Sequence, residues 1–237
     1  KDDHRDVWLF RPDQNIKRLN KSAERLAIPQ FPDDLFLEGL YKLIDLDRDW
    51  VQSGVGNSLY IRPFMFASEA CVQASPAKKY RIMIICTPVS SYYNNGEVRV
   101  KIADHFSRAP QGGTGYAKAA GNYAGQFYPT QLAIDEGYQQ IIWTDAASHQ
   151  YIEEAGTMNL FFYIENKLIT APISDSILDG VTRKSVIDLA KDHKIEVETR
   201  QLSVSELVEA SKNNTLKEIF GSGTAVVVLP IHGFGYK

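Results

Sequence analysis

NLFFYIENKLITA, residues 159–171, sets two runs rich in β-formers on either side of Glu165-Asn166. Residues 159–164 and 167–171 read as the two strands of a hairpin closed around that dipeptide. Upstream, residues 140–144 read as a buried strand. Residues 117–136 read as mostly helical, broken or kinked at Pro129, because proline inside a helix removes a hydrogen bond. Downstream, Asp179 is expected to cap a helix running to about Asp192, with Lys191 and His193 near its negative end. Residues 195–202 form a strand, Ser203 with Glu206 a capping box that opens another helix, and residues 225–231 a strongly apolar closing strand.

The N-terminal part has a different rhythm. Residues 7–10 read as a short strand. Residues 12–26 read as a helix, with Ile16, Leu19, Ala23 and Leu26 on one face, and residues 35–47 as a second helix. Three strands follow at 58–66, 80–88 and 97–103, all rich in Ile, Val, Met and Tyr. SSYYNNGE separates the last two, and Asn-Asn-Gly is turn chemistry that breaks both regular structures. The expectation is a small domain over 1–89, a linker over 90–96 and a large domain over 97–237. Strands come in clusters rather than in strict alternation with helices, so the class is α+β (mixed α/β) and not doubly wound.

Composition narrows the function. With 237 residues, 44% hydrophobic and 23% charged, the chain reads as an ordinary globular protein. A formal net charge of −3 leaves no broad basic surface, so neither nucleic acid nor a membrane is expected as a partner, and small molecules are. Two cysteines, Cys71 and Cys86, and five scattered histidines lack metal-ligand spacing, so no metal is expected. No apolar run approaches the roughly 20 residues needed to cross a bilayer. KDDHRDVWLF lacks the pattern of a signal peptide, and a cytoplasmic location is the expectation.

In GTGYAKAAGNYAGQ, residues 113–126, one lysine sits among small uncharged residues. Lys118 is either the solvated edge of a helix or wanted for its amine. A desolvated lysine has a lowered pKa and a nucleophilic neutral amine. Two more glycine stretches stand out, EEAGTMN at 153–159 and GSGTA at 221–225. Each alone reads as a turn. Together they offer more: Glu154 can hold a heteroaromatic nitrogen protonated, Gly180, Val181 and Thr182 can offer backbone N–H groups at a helix N-terminus to a phosphate, and Gly223 with Thr224 adds further donors. Amine, carboxylate and phosphate cradle describe a site for pyridoxal 5′-phosphate.

KAAGNY, EEAGTMNLFF and FGSGTA, in this order, resemble the branched-chain amino acid aminotransferases of the fold-type IV pyridoxal-phosphate enzymes, from about Trp8 to the end of the chain. The resemblance implies their two-domain architecture, a homodimer, and transamination between Leu, Ile or Val and 2-oxoglutarate. It makes Lys118 the Schiff-base lysine. Arg18, in NIKRLNKSAERL, matches the phosphate-binding arginine; Tyr123 the partner of the cofactor's phenolic oxygen; Glu154 the partner of the pyridine nitrogen. Thr157, Val181, Thr182 and Thr224 match cofactor-binding positions. In SLYIRPF, Tyr60 and Arg62 resemble substrate-facing residues, and strand alternation puts both on one face. The resemblance implies that Tyr60, with the N–H groups around Thr224 and Ala225, holds the α-carboxylate, and Arg62 the distal carboxylate of glutamate. Tyr92 matches a pocket-wall tyrosine, an ordinary turn tyrosine being the other reading.

Departures accompany the match. Chains of the family begin earlier and continue further, so family segments at both ends are expected to be lacking and a catalytically incomplete fragment is one alternative. D-amino acid aminotransferases and aminodeoxychorismate lyases, which share the lysine, are the other. Asp179 stands where many relatives have proline, and its charge near a phosphate is unfavourable. Residues 226–229 lack the paired cysteines of some mammalian relatives.

Overall fold

The computed structural model describes residues 6–54, 56–90 and 97–237 of a chain that divides into two compact units, 1–94 and 95–237. In the first unit, α1 (Pro12–Arg25) starts at a proline, whose missing N–H costs nothing in a first helical turn. α2 (Asp33–Leu46) buries Phe36, Leu40 and Ile44 at helical spacing, and these pack on Ile16 of α1. Buried Asn20 ties the two helices: its amide donates to Phe31 O and to Asp33 Oδ1, both at 2.8 Å, and its Oδ1 accepts from Phe31 N at 2.9 Å.

A two-stranded antiparallel sheet of β1 (Ser58–Ala67) and β2 (Tyr80–Val89) pairs Ile61 with Cys86 and Arg62 with Ile85. Leu59, Ile61, Ile82, Ile84 and Cys86 pack against the helices. Alternation therefore turns Tyr60, Arg62, Ile85 and Thr87 to the opposite face. The strand expected at 7–10 does not form. Val7 and Leu9 instead lie as irregular chain on the helical cluster, which offers a short apolar run more burial than an unpaired strand has.

The second unit is built on a nine-stranded sheet in the order β10-β9-β6-β5-β4-β3-β11, with β7 on β6 and β8 on β7. The strands are β3 (Arg99–Ile102), β4 (Gln140–Thr144), β5 (Ile152–Ala155), β6 (Met158–Ile164), β7 (Lys167–Thr170), β8 (Glu196–Thr199), β9 (Leu216–Gly223), β10 (Val227–Pro230) and β11 (Gly233–Gly235). β6 lies at its centre: β9 pairs along one edge, while β5 and β7 share the other. That explains its almost unbroken apolar sequence, since both faces are covered. The hairpin of β6 and β7 turns at Glu165 and Asn166, with φ of 49° and 64°, the left-handed pair that suits a two-residue connection. Pairs β3/β4, β3/β11 and β7/β8 are parallel and the rest antiparallel, so the sheet is mixed. α5 (Val181–Asp192) covers Phe161, Leu168 and Phe220 with Val186, Ile187 and Ala190, and Ala133 of α4 (Phe127–Asp135) packs against Ile141 and Trp143.

Several boundaries depart from the sequence reading. The stretch 117–136 holds two helices, α3 (Ala120–Ala124) and α4, and the break falls at Gly125-Gln126 rather than at Pro129. Pro129 is the third residue of α4, where no intrahelical donor is lost. Asp179 is not the cap of α5: Gly180 occupies that position with no side-chain cap, and Asp179 pairs with Lys184 at 2.8 Å. Ser203 does cap α6 (Val204–Lys212), accepting from Glu206 N at 3.0 Å, but the Glu206 carboxylate turns to Arg200. β5, β9 and β11 are additional strands, and the apolar strand expected at 225–231 is shorter, as β10. No helix among the described residues is long and apolar enough to cross a membrane.

Candidate active site

Lys118 lies just before α3, and its Nζ donates to Tyr123 Oη at 2.7 Å, standing 5.2 Å from the ring centroid. Buried Asn122 fixes the preceding loop, donating to Thr114 O at 2.7 Å and to Ala117 O at 2.8 Å. A Cβ at Gly115 would fall 2.5 Å from Ser176 Cα, so only glycine lets this loop press against residues 174–177. The lysine is exposed, and its neighbourhood is uncharged in sequence but not in space: its ammonium attracts the Glu154 carboxylate.

Glu154 is fully enclosed, 4% exposed. Its Oε1 meets Arg108 Nη2 at 2.8 Å, and its Oε2 accepts from Leu178 N at 3.0 Å and Asn159 Nδ2 at 3.2 Å. Burial pushes its carboxyl up to about 7, against the pull of the Arg108 guanidinium, the Leu178 N–H and the Lys118 ammonium. Glu153 beside it is raised by its own burial, opposed by the hydroxyl of Ser176 and by Arg108. A small cavity is lined by Arg108, Tyr123, Glu154, Thr157 and Asn159. Thr157 comes from the turn between β5 and β6, where Gly156 has φ of 46°.

Asn159 links this carboxylate to the start of α5. Its amide also donates to Leu178 O at 2.9 Å, and a Cβ at Gly180 would lie 2.0 Å from its Oδ1. The helix end is thus docked onto β6 with Val181 and Thr182 in the first turn, where backbone N–H groups have no intrahelical partner. Across the sheet, Asn159 pairs with Ser222, whose buried Oγ has no partner among the described residues. Gly223 ends β9, and Thr224 and Ala225 are exposed in the turn to β10.

In the first unit, Arg18 is half-buried on α1, with Ser22 Oγ donating to its carbonyl oxygen at 3.0 Å. On β1, Arg62 Nη2 donates to Tyr60 Oη at 3.0 Å and the guanidinium stacks over that ring, so the two side chains do share a face. Tyr92 lies outside the described residues. The structure therefore gathers Tyr123, Glu154 and Thr157 around one cavity, bonds Lys118 to Tyr123 at its edge, and puts Val181 and Thr182 on the helix docked to its Asn159. Sequence reasoning missed Arg108, Asn159 and Ser222. Asn159 and Ser222 left a signal, as the last residue of EAGTMN and the second of GSGTA, whereas Arg108 left none. Among the described residues no cluster of His, Cys, Asp or Glu could hold a metal.

Comparison with known proteins places the chain in a family. The chain is 45% identical to branched-chain-amino-acid aminotransferase 2 of Bacillus subtilis (strain 168), over 97% of this chain and 63% of that protein. It is 46% identical to branched-chain-amino-acid transaminase 1 of the same organism, over 95% and 64%. It thus spans less than two thirds of these relatives' own length. The crystal structure of the Escherichia coli branched-chain amino acid aminotransferase superposes with a TM-score of 0.81 at 28% identity, covering 95% of this chain and 71% of that one. The T.th. branched-chain amino acid aminotransferase complexed with N-(5′-phosphopyridoxyl)-L-glutamate gives 0.77 at 25%, covering 95% and 70%. The pattern of amino-transferase class IV matches residues 5–234, and the chain belongs to that family.

Proposed function

We propose that the chain carries out pyridoxal 5′-phosphate-dependent transamination between branched-chain L-amino acids and 2-oxoglutarate, as a homodimer. The observation that carries the reading is the convergence of an amine, Lys118, and a buried carboxylate, Glu154, beside an uncapped helix N-terminus. The residues fit the cofactor's chemistry. Glu154 is an acceptor held by a cation, the α5 end presents free donors, and the orphaned Ser222 hydroxyl sits across from Asn159, which docks that end. The T.th. enzyme, which binds a phosphopyridoxyl conjugate of glutamate, supports the same assignment.

When bound, pyridoxal 5′-phosphate supplies an aldehyde for the substrate amine and a ring that spreads the charge left by the departing α-proton. Glu154 keeps the ring nitrogen protonated, and a protonated nitrogen in turn favours the glutamate anion. Lys118 is the residue whose amine would hold the aldehyde and would carry the α-proton. Tyr123 holds the phenolic oxygen. Arg18, Val181, Thr182, Gly180, Gly223 and Thr224 hold the phosphate, with Thr157 beside the ring. Tyr60 and Ala225 orient the α-carboxylate, and Arg62 takes the distal carboxylate of glutamate.

Turnover of L-leucine with 2-oxoglutarate, followed as glutamate formed, tests the reading. Arg62→Met should slow the glutamate half-reaction by about 2 kcal/mol, the worth of a hydrogen bond to a charged group, and leave the leucine half-reaction nearly unchanged. Turnover of D-alanine, or loss of both half-reactions together in Arg62→Met, contradicts it.

A further inference from the structure

Arg108 belongs to no stretch that sequence reasoning singled out. It sits in SRAPQGG, ordinary loop chemistry, yet its side chain is only 4% exposed. One guanidinium nitrogen, Nη2, meets three oxygens: Glu154 Oε1 and Gly115 O, both at 2.8 Å, and Ser176 O. Gly115 O belongs to the loop that leads into Lys118. Ser176 belongs to the loop that leads into Leu178, whose N–H donates to Glu154. A buried cation is costly unless its partners are well placed. Here the partners are the carboxylate of the site and the backbone on either side of it.

We propose that Arg108 is the positioning residue of this site: it holds Glu154 as an oriented anion for the cofactor's ring nitrogen and locks that carboxylate to the loop bearing Lys118. The proposal rests on the reading that the site holds pyridoxal 5′-phosphate. Other groups face Glu154 as well: Lys118 and Tyr123 from the α3 side, Glu153 from its own strand, Asn159 from β6, and the N–H of Leu178. Arg108 stands apart because it is a fully buried cation in direct contact with the carboxylate. Arg108 itself touches no substrate; it acts through Glu154.

The experiment uses the full-length protein and the variants Arg108→Met, Arg108→Lys, Glu154→Gln and the double variant Arg108→Met/Glu154→Gln. Two readouts are taken: urea unfolding without cofactor, and the dissociation constant of pyridoxal 5′-phosphate from quenching of tryptophan fluorescence across neutral pH. Removing one partner of a buried pair leaves the other to strand its charge or take up a proton, so Arg108→Met should raise the unfolding constant by about 100-fold or more on the alkaline side of the Glu154 titration. The double variant, with no anion to strand, should recover at least about tenfold of that loss. Arg108→Met should weaken cofactor binding at least about tenfold and move its pH midpoint upward, because Glu154 loses the cation that opposes its protonation. Arg108→Lys should restore the midpoint more fully than the affinity, since it keeps the charge but not the planar fork.

On a Glu154→Gln background, Arg108→Met should no longer move the midpoint. A purely structural arginine would weaken binding equally with Glu or Gln at position 154 and leave the midpoint where it is; that result overturns the proposal. If Arg108→Met unfolds, Arg108→Lys and the double variant carry the same comparison. Failure of the wild-type protein to bind pyridoxal 5′-phosphate overturns the cofactor reading and the proposed role with it. Wild-type binding with an unmoved midpoint in every Arg108 variant overturns the role of Arg108 alone.

Discussion

Glu154 is held between two opposing forces. Burial favours its neutral form, while Arg108, the Leu178 N–H and Lys118 favour the anion, and the balance leaves its carboxyl at about 7 instead of the ordinary 4.5. Between these two values the folded protein keeps a proton that the unfolded chain has released. Stability without cofactor therefore falls as pH rises through that window and levels off above it. At about 1.4 kcal/mol per pKa unit, the fall attributable to Glu154 is on the order of 3 kcal/mol. Urea midpoints taken at the two ends of the window should fall less in Glu154→Gln than in the wild type. Glu153, raised by its own burial, contributes a fall of the same sign that survives in the variant. An identical pH slope in both proteins would show that Glu154 is not the buried titrating group. Sequence alone picks out Glu154 through EAGTMN but says nothing of Arg108, because the pair is separated by 46 residues and Arg108 sits in a segment with no periodicity.

At the scale of elements, the N-terminus of α5 depends on a close approach that one position alone permits. A Cβ at Gly180 would fall 2.0 Å from Asn159 Oδ1, and Asn159 cannot swing away freely because its amide is bonded to Leu178 O and Glu154. Gly180→Ala should cost about 1–3 kcal/mol, the usual range for forcing atoms into a packed site. Gly39, in the interior of α2, is a control: an added Cβ there meets nothing within 4 Å. Gly39→Ala should stabilise by about 0.5–1 kcal/mol through helix propensity alone. Thermal melts of the two variants should shift in opposite directions, and a neutral Gly180→Ala would remove the case that α5 is docked through Asn159.

The same scale shows which elements could be read in advance. α1, α2 and the β6/β7 hairpin carry strong periodicity or a run of β-formers with a clear turn, and each appears within a few residues of its expected place. β9 does not announce itself: Lys217 and Glu218 sit in its first half and Gly221, Ser222 and Gly223 in its second, so alternation is hidden. Its identity comes from β6, which needs a partner along its whole second edge. Pro129 misled for a related reason. A proline marks a helix break or a helix start depending on where the preceding turn ends, and here Gly125-Gln126 ends it.

For the whole molecule, the mixed α+β class follows from clustered strands, and the central buried position of β6 follows from its apolar sequence. Its chemistry could be traced from the residues only in part. Lys118 drew notice through its uncharged sequence neighbours, whereas in the fold its significance comes from Tyr123, whose hydroxyl oxygen accepts its hydrogen bond, and from Glu154, which attracts it. Those relations join α3, β5 and the loops before α3 and α5, and no local pattern encodes them. The decisive measurement is the absorption spectrum of the protein loaded with pyridoxal 5′-phosphate, before and after L-leucine, in the wild type and in Lys118→Ala. The wild type should show a band near the visible edge that leucine shifts to shorter wavelength and that borohydride fixes onto Lys118. In Lys118→Ala the band should be missing. A wild-type spectrum indifferent to leucine, or borohydride labelling of a different lysine, would contradict the assignment of Lys118 and with it the proposed transamination.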